Sequence, residues 1–325
     1  MNVKVKTVEF ANGVCASREK GLVGAERVRR MAEADSLSQA FDILRESTFG
    51  GELNVNYSEF DRLIEEEETL LCEFVKEYAP NKEILAFCLA EKDFYNAEVI
   101  VKCNHLKCEY NNLITASGLV DISDLQSLIE EENDGKLPKE LVLAVKQSKQ
   151  ALSEGKGGLD VGAIFARAKY DYLKRCVKTG YLKKILSKCI DGVNLCTLLR
   201  AGNLELANKQ LLDGGSLTQK QMNAIVSLDE DAVGQEFATH YLKNVAILGV
   251  KAIKNGKPLV DVERQISSIG ADRMEEGKYT EQSGTAPFIR YYYKRKNEIA
   301  CVRTVLTGKA NSLDTEEIKR RLITV

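Results

Sequence analysis

The stretch PFIRYYYKRKNEIACVRTVLTGKANSLDTEEIKRRL, from Pro287 to Leu322, decides the reading of the fold. Ile299, Val302, Val305 and Leu306 recur at three- and four-residue steps, which puts them on one face of a helix. Gly308 is expected to end that helix, because glycine takes up a positive φ at little cost. Asn311 and Ser312 read as a turn, and Asp314 followed by Glu317 resembles a capping box that opens a second helix. That helix finishes on Lys319, Arg320 and Arg321, the sign its C-terminal dipole favours. Tyr291, Tyr292 and Tyr293 cannot share one helical face, so one or two belong to the core and one to the surface.

Weaker copies of the segment occur twice upstream. DFYNAEVIVK begins at Asp93, DGVNLCTLLR at Asp191 and EIACVRTVLT at Glu298. Each has an acid, then Asn three residues on (Asn96 and Asn194, with Cys301 in the third copy), then apolar residues on one helical face. The copies are 98 and 107 residues apart. A repeat of that length exceeds ordinary solenoid periods and predicts three related lobes, placed at 1–119, 120–216 and 217–325. A turn and a short helix are expected after each copy, at Val120–Leu125, Leu217–Met222 and Leu313–Ile318.

The 325 residues carry 46 basic and 48 acidic side chains, a formal charge of −2, which offers no general attraction to nucleic acid. Four prolines, no tryptophan and abundant Leu, Ala, Glu and Lys favour helix. Nine cysteines, an odd number partly placed inside helical patterns, are not a disulfide framework and fit a reducing compartment. No signal sequence is recognised, and no apolar run approaches a membrane span.

Elsewhere the pattern is also helical. MNVKVKTVEF alternates weakly, as a short strand or an extended arm would. Helices are expected from Ala25, over Ser38–Glu46, over Tyr57–Tyr78 and after Pro138 to about Ser153. Further helices are expected over Val161–Val177, Glu236–Lys254 and Val260–Met274, with a polar loop over Gln282–Ala286. The acidic run Glu65–Glu68 reads as solvated surface, and without histidine beside it carries no metal site. Gly155-Lys156-Gly157-Gly158 lacks the spacing of a phosphate loop. Cys103, His105 and Cys108 lack a fourth ligand and knuckle spacing, and no third group positions a Cys–His nucleophile. No cofactor site is therefore expected.

Two sets of charges stay open between readings. Arg200, Arg303 and Lys309 are either plain surface charge or a docking surface. Asp93, Asp191 and Glu298 are helix-start carboxylates, members of internal ion pairs, or partner contacts. A helical adaptor with an open superhelix and a soluble enzyme using Cys or paired carboxylates are the competing functional classes.

Taken together, Pro287-Phe288-Ile289, Tyr293, Glu298-Ile299, Arg303-Thr304-Val305-Leu306, Gly308-Lys309, Glu317-Ile318 and Arg321-Leu322 resemble the C-terminal signature of the C subunits of V-type and A-type ATPases, whose eukaryotic counterpart is the d subunit. The stretches at Asp93, at Asp191 and from Arg27 to Met31 are similar to the family's other recurring segments, in the same order along nearly the whole chain. The resemblance implies an all-α protein of three pseudo-threefold helical lobes forming a funnel-shaped socket. It implies no catalysis and no cofactor. The implied place is the cytoplasmic face of the membrane, peripheral through the rotor ring. There the protein receives the central stalk and couples ATP hydrolysis to proton or sodium movement, or the reverse. The implied partners are the stalk subunits and the ring, with no nucleic acid and no membrane span of its own.

Overall fold

The computed structural model describes residues 6–115, 118–267 and 284–322, and every regular element among them is helical. In order these are α1 (Val8–Arg18), α2 (Ala25–Glu33), α3 (Leu37–Arg45), α4 (Phe60–Tyr78) and α5 (Lys82–Leu106). Then come α6 (Ile122–Glu130), α7 (Lys139–Ser153), α8 (Gly158–Cys176), α9 (Gly180–Ala201) and α10 (Leu204–Asn208). α11 (Gln219–Val226), α12 (Glu230–Glu236) and α13 (Lys243–Lys254) follow. α14 is described over 260–267, and α15 (Ala286–Ala310) and α16 (Thr315–Arg321) close the chain.

Local chemistry sets the helix starts. The side chains of Thr7, Ser36, Asn81, Thr218 and Asp314 each accept a backbone N–H from the first turn of α1, α3, α5, α11 and α16. The cap at Thr7 makes the described end of the N-terminal alternating stretch helical from Val8. It starts α1, whose Ala11 and Cys15 lie one turn apart and are buried where the helix packs on α15. The first five residues of that stretch lie outside the described ones.

The three copies of the motif lie on the longest helices, α5, α9 and α15, of 25, 22 and 25 residues. Gly308 does not end α15, which runs on to Ala310. It is a point of close approach: a Cβ there would lie 2.7 Å from Ile318 Cγ1 of α16. The positive φ of the turn falls on Ser312 instead. Asp314 caps α16 through Glu316 N, while Glu317 turns to Arg320 and Arg321, so no reciprocal capping box forms. Tyr291 and Tyr292 are buried, and Tyr293 is half-buried beside Phe87.

The recurring polar residues tie each long helix to a loop. Asp93 accepts N–H groups from Leu119 at 3.0 Å and Val120 at 3.1 Å, and Asn96 exchanges two hydrogen bonds with the Thr115 backbone. Asp191 likewise accepts from Ser216 N at 2.6 Å and Leu217 N at 3.2 Å, and Asn194 exchanges two with the Leu212 backbone. Glycine is required at both loops. A Cβ on Gly118 would lie 2.3 Å from Asp93 Oδ1, and one on Gly215 would lie 2.3 Å from Asp191 Oδ1. The clasped loops lead directly into α6 and α11.

The third copy behaves differently. Glu298 accepts the N–H of Gly24 at 2.7 Å, 274 residues earlier in the chain, and Gly24 leads into α2. The short helix expected at Leu313–Ile318 therefore forms as α16 but is not the element held by the third carboxylate. All three acids sit inside helices rather than at helix starts; what they serve is the start of another helix.

The closing helices repeat as well. α8 packs along α5 and α4 packs along α15. α14 meets α9, where Gly192 faces Ile266 and Arg200 pairs with Glu263. One apolar core joins the terminal helices to α4–α8 and to the first half of α9 through Leu182, Ile185, Leu186 and Ile190, and a second lies within the rest of α9 to α14 around Leu195, Phe237 and Val262. The expected helix Glu236–Lys254 is broken: α12 stops at Glu236 and α13 starts at Lys243, with Phe237 and Leu242 of the connecting turn buried in the second core. Of Val260–Met274, residues 268–274 lie outside the described ones, as do 282–283 of the polar loop; Ala286 is already the first residue of α15.

Candidate docking cavity

Two residues before each motif acid stand Glu91, Cys189 and Lys296, and their surroundings connect the three long helices. Lys296 of α15 is paired with Glu91 of α5, and Lys169 of α8 approaches Glu91 at 3.9 Å. Lys296, then Lys169, pulls the Glu91 carboxyl down to about 2. Glu91 in turn holds the Lys296 ammonium above its ordinary range, and Cys189 of α9 contributes to the same field. Tyr292 donates its hydroxyl to Cys88 O at 2.6 Å, a further tie between α15 and α5.

Beside this junction opens a cavity of about 470 Å³ between α4, α5 and α15. Leu71, Cys72, Tyr292, Ile299 and Ala300 supply apolar wall. Glu68, Glu91, Lys92, Lys296 and Arg303 supply charge. Glu68 joins Lys92 at 2.7 Å and Arg303 at 2.9 Å. Burial works against the Glu68 charge, but those two cations outweigh it and lower its pKa.

Behind the wall lies a buried triad. Arg295 pairs with Glu67 and, at 3.2 Å, with Glu298, while Glu67 also accepts Gly50 N at 2.7 Å. Burial pushes the Glu67 carboxyl up despite Arg295. Burial also opposes the Arg295 charge, yet Glu67 and Glu298 together raise its pKa. The acidic run Glu65–Glu68 is therefore not a solvated face: two of its four members are structural ion-pair partners. Desolvation likewise dominates at Asp93, whose carboxyl is pushed up to about 7 against the pull of the Val120 and Leu119 N–H groups.

The sequence-selected cations are not brought together. Arg303 lines the cavity through its pair with Glu68, Arg200 lies on α9 with Glu263, and Lys309 reaches Thr315 Oγ1 at 3.3 Å. Sequence reasoning missed Glu91, Lys92 and Lys296. The signal was available, since Glu91 and Lys296 occupy one motif position with opposite charge. Among the described residues no group of three or more His, Cys, Asp or Glu is placed to hold a metal, and no described helix is long and apolar enough to cross a membrane.

The fold and the cavity define an all-α protein whose three motif helices each carry a buried carboxylate, two of them, α5 and α15, flanking a charged opening. The chain belongs to the ATP synthase (C/AC39) subunit family, whose model matches residues 11–321. It is 19% identical over 328 residues to the C subunit of the V-type sodium ATPase of Enterococcus hirae, covering 96% of both chains.

Proposed function

We propose that this protein is a non-catalytic part of the central rotor, joining the central stalk to the membrane rotor ring so that ATP hydrolysis drives proton or sodium transport, or the reverse. It sits on the cytoplasmic face of the membrane and is held there by the ring. The observation that carries the reading is the order of packing. α8 lies on α5, α14 meets α9 and α4 lies on α15, so each motif helix is covered by a partner helix and the last takes its partner from the other chain end, as three related lobes would require.

In this reading three lobes surround an axis in a funnel. The first is 82–176, the second 180–267, and the third joins 286–322 to the N-terminal 6–78. These boundaries move the cuts at 119 and 216 away from the clasps, since the first of those cuts would separate Leu119 from Val120, both held by Asp93. A lobe stitched by buried carboxylates and core apolar residues is stiff, as transmitting torque requires. The cavity lined by Arg303 is the docking place for the stalk, where charge pairs set register and encounter rate.

The test is retention of the stalk subunits and of the isolated ring by the purified chain. Failure to retain either removes the rotor reading. At low salt Arg303→Glu is expected to weaken stalk binding about tenfold, the effect of reversing a charge at an interface rim. Unchanged stalk binding by a folded Arg303→Glu protein takes Arg303 out of the interface. Arg200→Glu and Lys309→Glu, measured beside it, decide whether those two cations contact a partner.

A further inference from the structure

α5 ends in a left-handed cap. Lys107 has φ +54, its N–H reaches Asn104 O at 3.4 Å, and the N–H of Cys108 donates to Cys103 O at 3.0 Å. That second bond closes a Schellman turn, an arrangement that brings together the side chains at its two ends. Those positions usually hold an apolar pair. Here they hold two cysteines, whose backbones are joined by that bond. Cys103 is only 5% exposed, whereas Cys108 is the exposed cysteine of the nine. Neither takes part in the cavity or in the clasps.

We propose that Cys103 and Cys108 form a thiol–disulfide modification site, closed by exchange with a low-molecular-weight disulfide. Cys108, open to solvent, attacks as its thiolate. One sulfur of the incoming disulfide bonds to Cys108 Sγ, the small molecule's S–S bond breaks, and one thiolate leaves and takes a proton. Cys103 then gives its proton to water, and its sulfur attacks Cys108 Sγ and expels the second small thiolate. Two protein thiols are oxidised and one small disulfide is reduced to two thiols, and excess dithiol reverses the reaction. Burial raises the Cys103 thiol pKa, and the second step proceeds because its attack is intramolecular. The backbone turn already holds the two residues side by side, so the bond closes without unwinding α5.

The strap has a structural consequence. The segment leaving α5 is held by Tyr95, whose hydroxyl donates to Leu113 O at 3.2 Å, and by the Asn96–Thr115 bonds. A Cys103–Cys108 bond fixes its near end as well, and so slows amide exchange between 107 and 113.

The purified full chain is incubated with oxidised glutathione at mildly alkaline pH, alkylated and peptide-mapped. The expected product has lost two hydrogens and carries a Cys103–Cys108 cross-link. Cys103→Ser is expected to accumulate about tenfold more glutathione on Cys108 than the wild type, because the resolving thiol is gone. A wild-type protein that keeps glutathione on Cys108 while Cys103 remains open to alkylation overturns the proposal. So does a cross-link from Cys108 to any other cysteine. If Cys103→Ser fails to fold, the wild-type map decides alone.

Discussion

Asp191→Ala tests whether the clasp holds the second core together. Asp191 is 0% exposed and serves four donors: Ser216 N at 2.6 Å, Leu217 N at 3.2 Å, Ser216 Oγ at 2.5 Å and Tyr241 Oη at 2.7 Å. The two hydroxyls can rotate toward water or other acceptors. The two backbone N–H groups cannot, because the turn into α11 fixes them. Each stranded donor costs about 1–3 kcal/mol, which puts the loss for Asp191→Ala at about 3–5 kcal/mol once partial access of water is allowed for. That is a large share of the roughly 5–15 kcal/mol that holds a typical fold together. Asp191→Asn keeps one carbonyl for the backbone and presents an amide to hydroxyls able to accept, so about 1–2 kcal/mol is expected. Chemical unfolding followed by far-ultraviolet circular dichroism gives the order wild type, Asn, Ala. A chain of this length need not unfold in one step, so amide exchange at Ser216 and Leu217 is the sharper readout. A loss below about 1 kcal/mol for Asp191→Ala, with exchange at those amides unchanged, would refute the claim that the carboxylate organises the loop.

Three further outcomes are expected. Asp93 is pushed up to about 7 in the fold against about 3.9 when unfolded, so the native state binds its proton more tightly, and this group's contribution falls as pH rises from about 4 to about 7. Asp93→Asn removes that slope, at most about 4 kcal/mol over the interval, as read from the difference in unfolding free energy between variant and wild type across pH. Arg295→Met strands Glu67 and Glu298 in the core and is expected to cost about 3–5 kcal/mol in denaturant unfolding, less if Glu67→Gln is added. Gly308→Ala drives a methyl to 2.7 Å from Ile318 Cγ1 and should cost about 1–3 kcal/mol, with Ile318→Val restoring part of the melting temperature.

The helices were legible because their apolar residues keep helical spacing and their starts carry capping side chains. The repeat was legible because Asp and Asn three residues apart recur in a helix interior, where they are not favoured for propensity. Their partners were not legible. Nothing local in Leu119, Val120, Ser216 or Leu217 marks a donor, and only Gly118 and Gly215, one residue ahead of each pair, hint at a close approach. Gly308 misled because a glycine near a helix end supports two readings, a positive φ or a missing Cβ, and the choice depends on Ile318 arriving from the next helix. Glu67 misled for a similar reason: a run of four acids reads as one face, yet a helix turns its members in different directions, and one of them points at Arg295.

The departures of the third copy follow from where its partner comes from. In the first two copies the clasped loop follows the long helix along the chain, so a short aspartate and an asparagine meet two strands of loop backbone one turn apart. In the third the partner is Gly24, which enters 274 residues earlier and from the other chain end. No loop leaves α15 to be gripped in the same way, and a side chain longer by one methylene spans the gap to a single N–H. Gly24 adopts φ +78, a conformation that favours glycine, so the contact is specified on both sides. Arg295 supplies Glu298 with the second hydrogen bond that the other carboxylates take from backbone. Cys301, at the asparagine position, is 0% exposed within the apolar core. Substituting Asp for Glu at 298 would thus shorten a carboxylate whose reach to Gly24 joins the chain's two ends, whereas lengthening Asp93 or Asp191 would push into Gly118 or Gly215, where a carboxylate oxygen already sits 2.3 Å from the place of a Cβ.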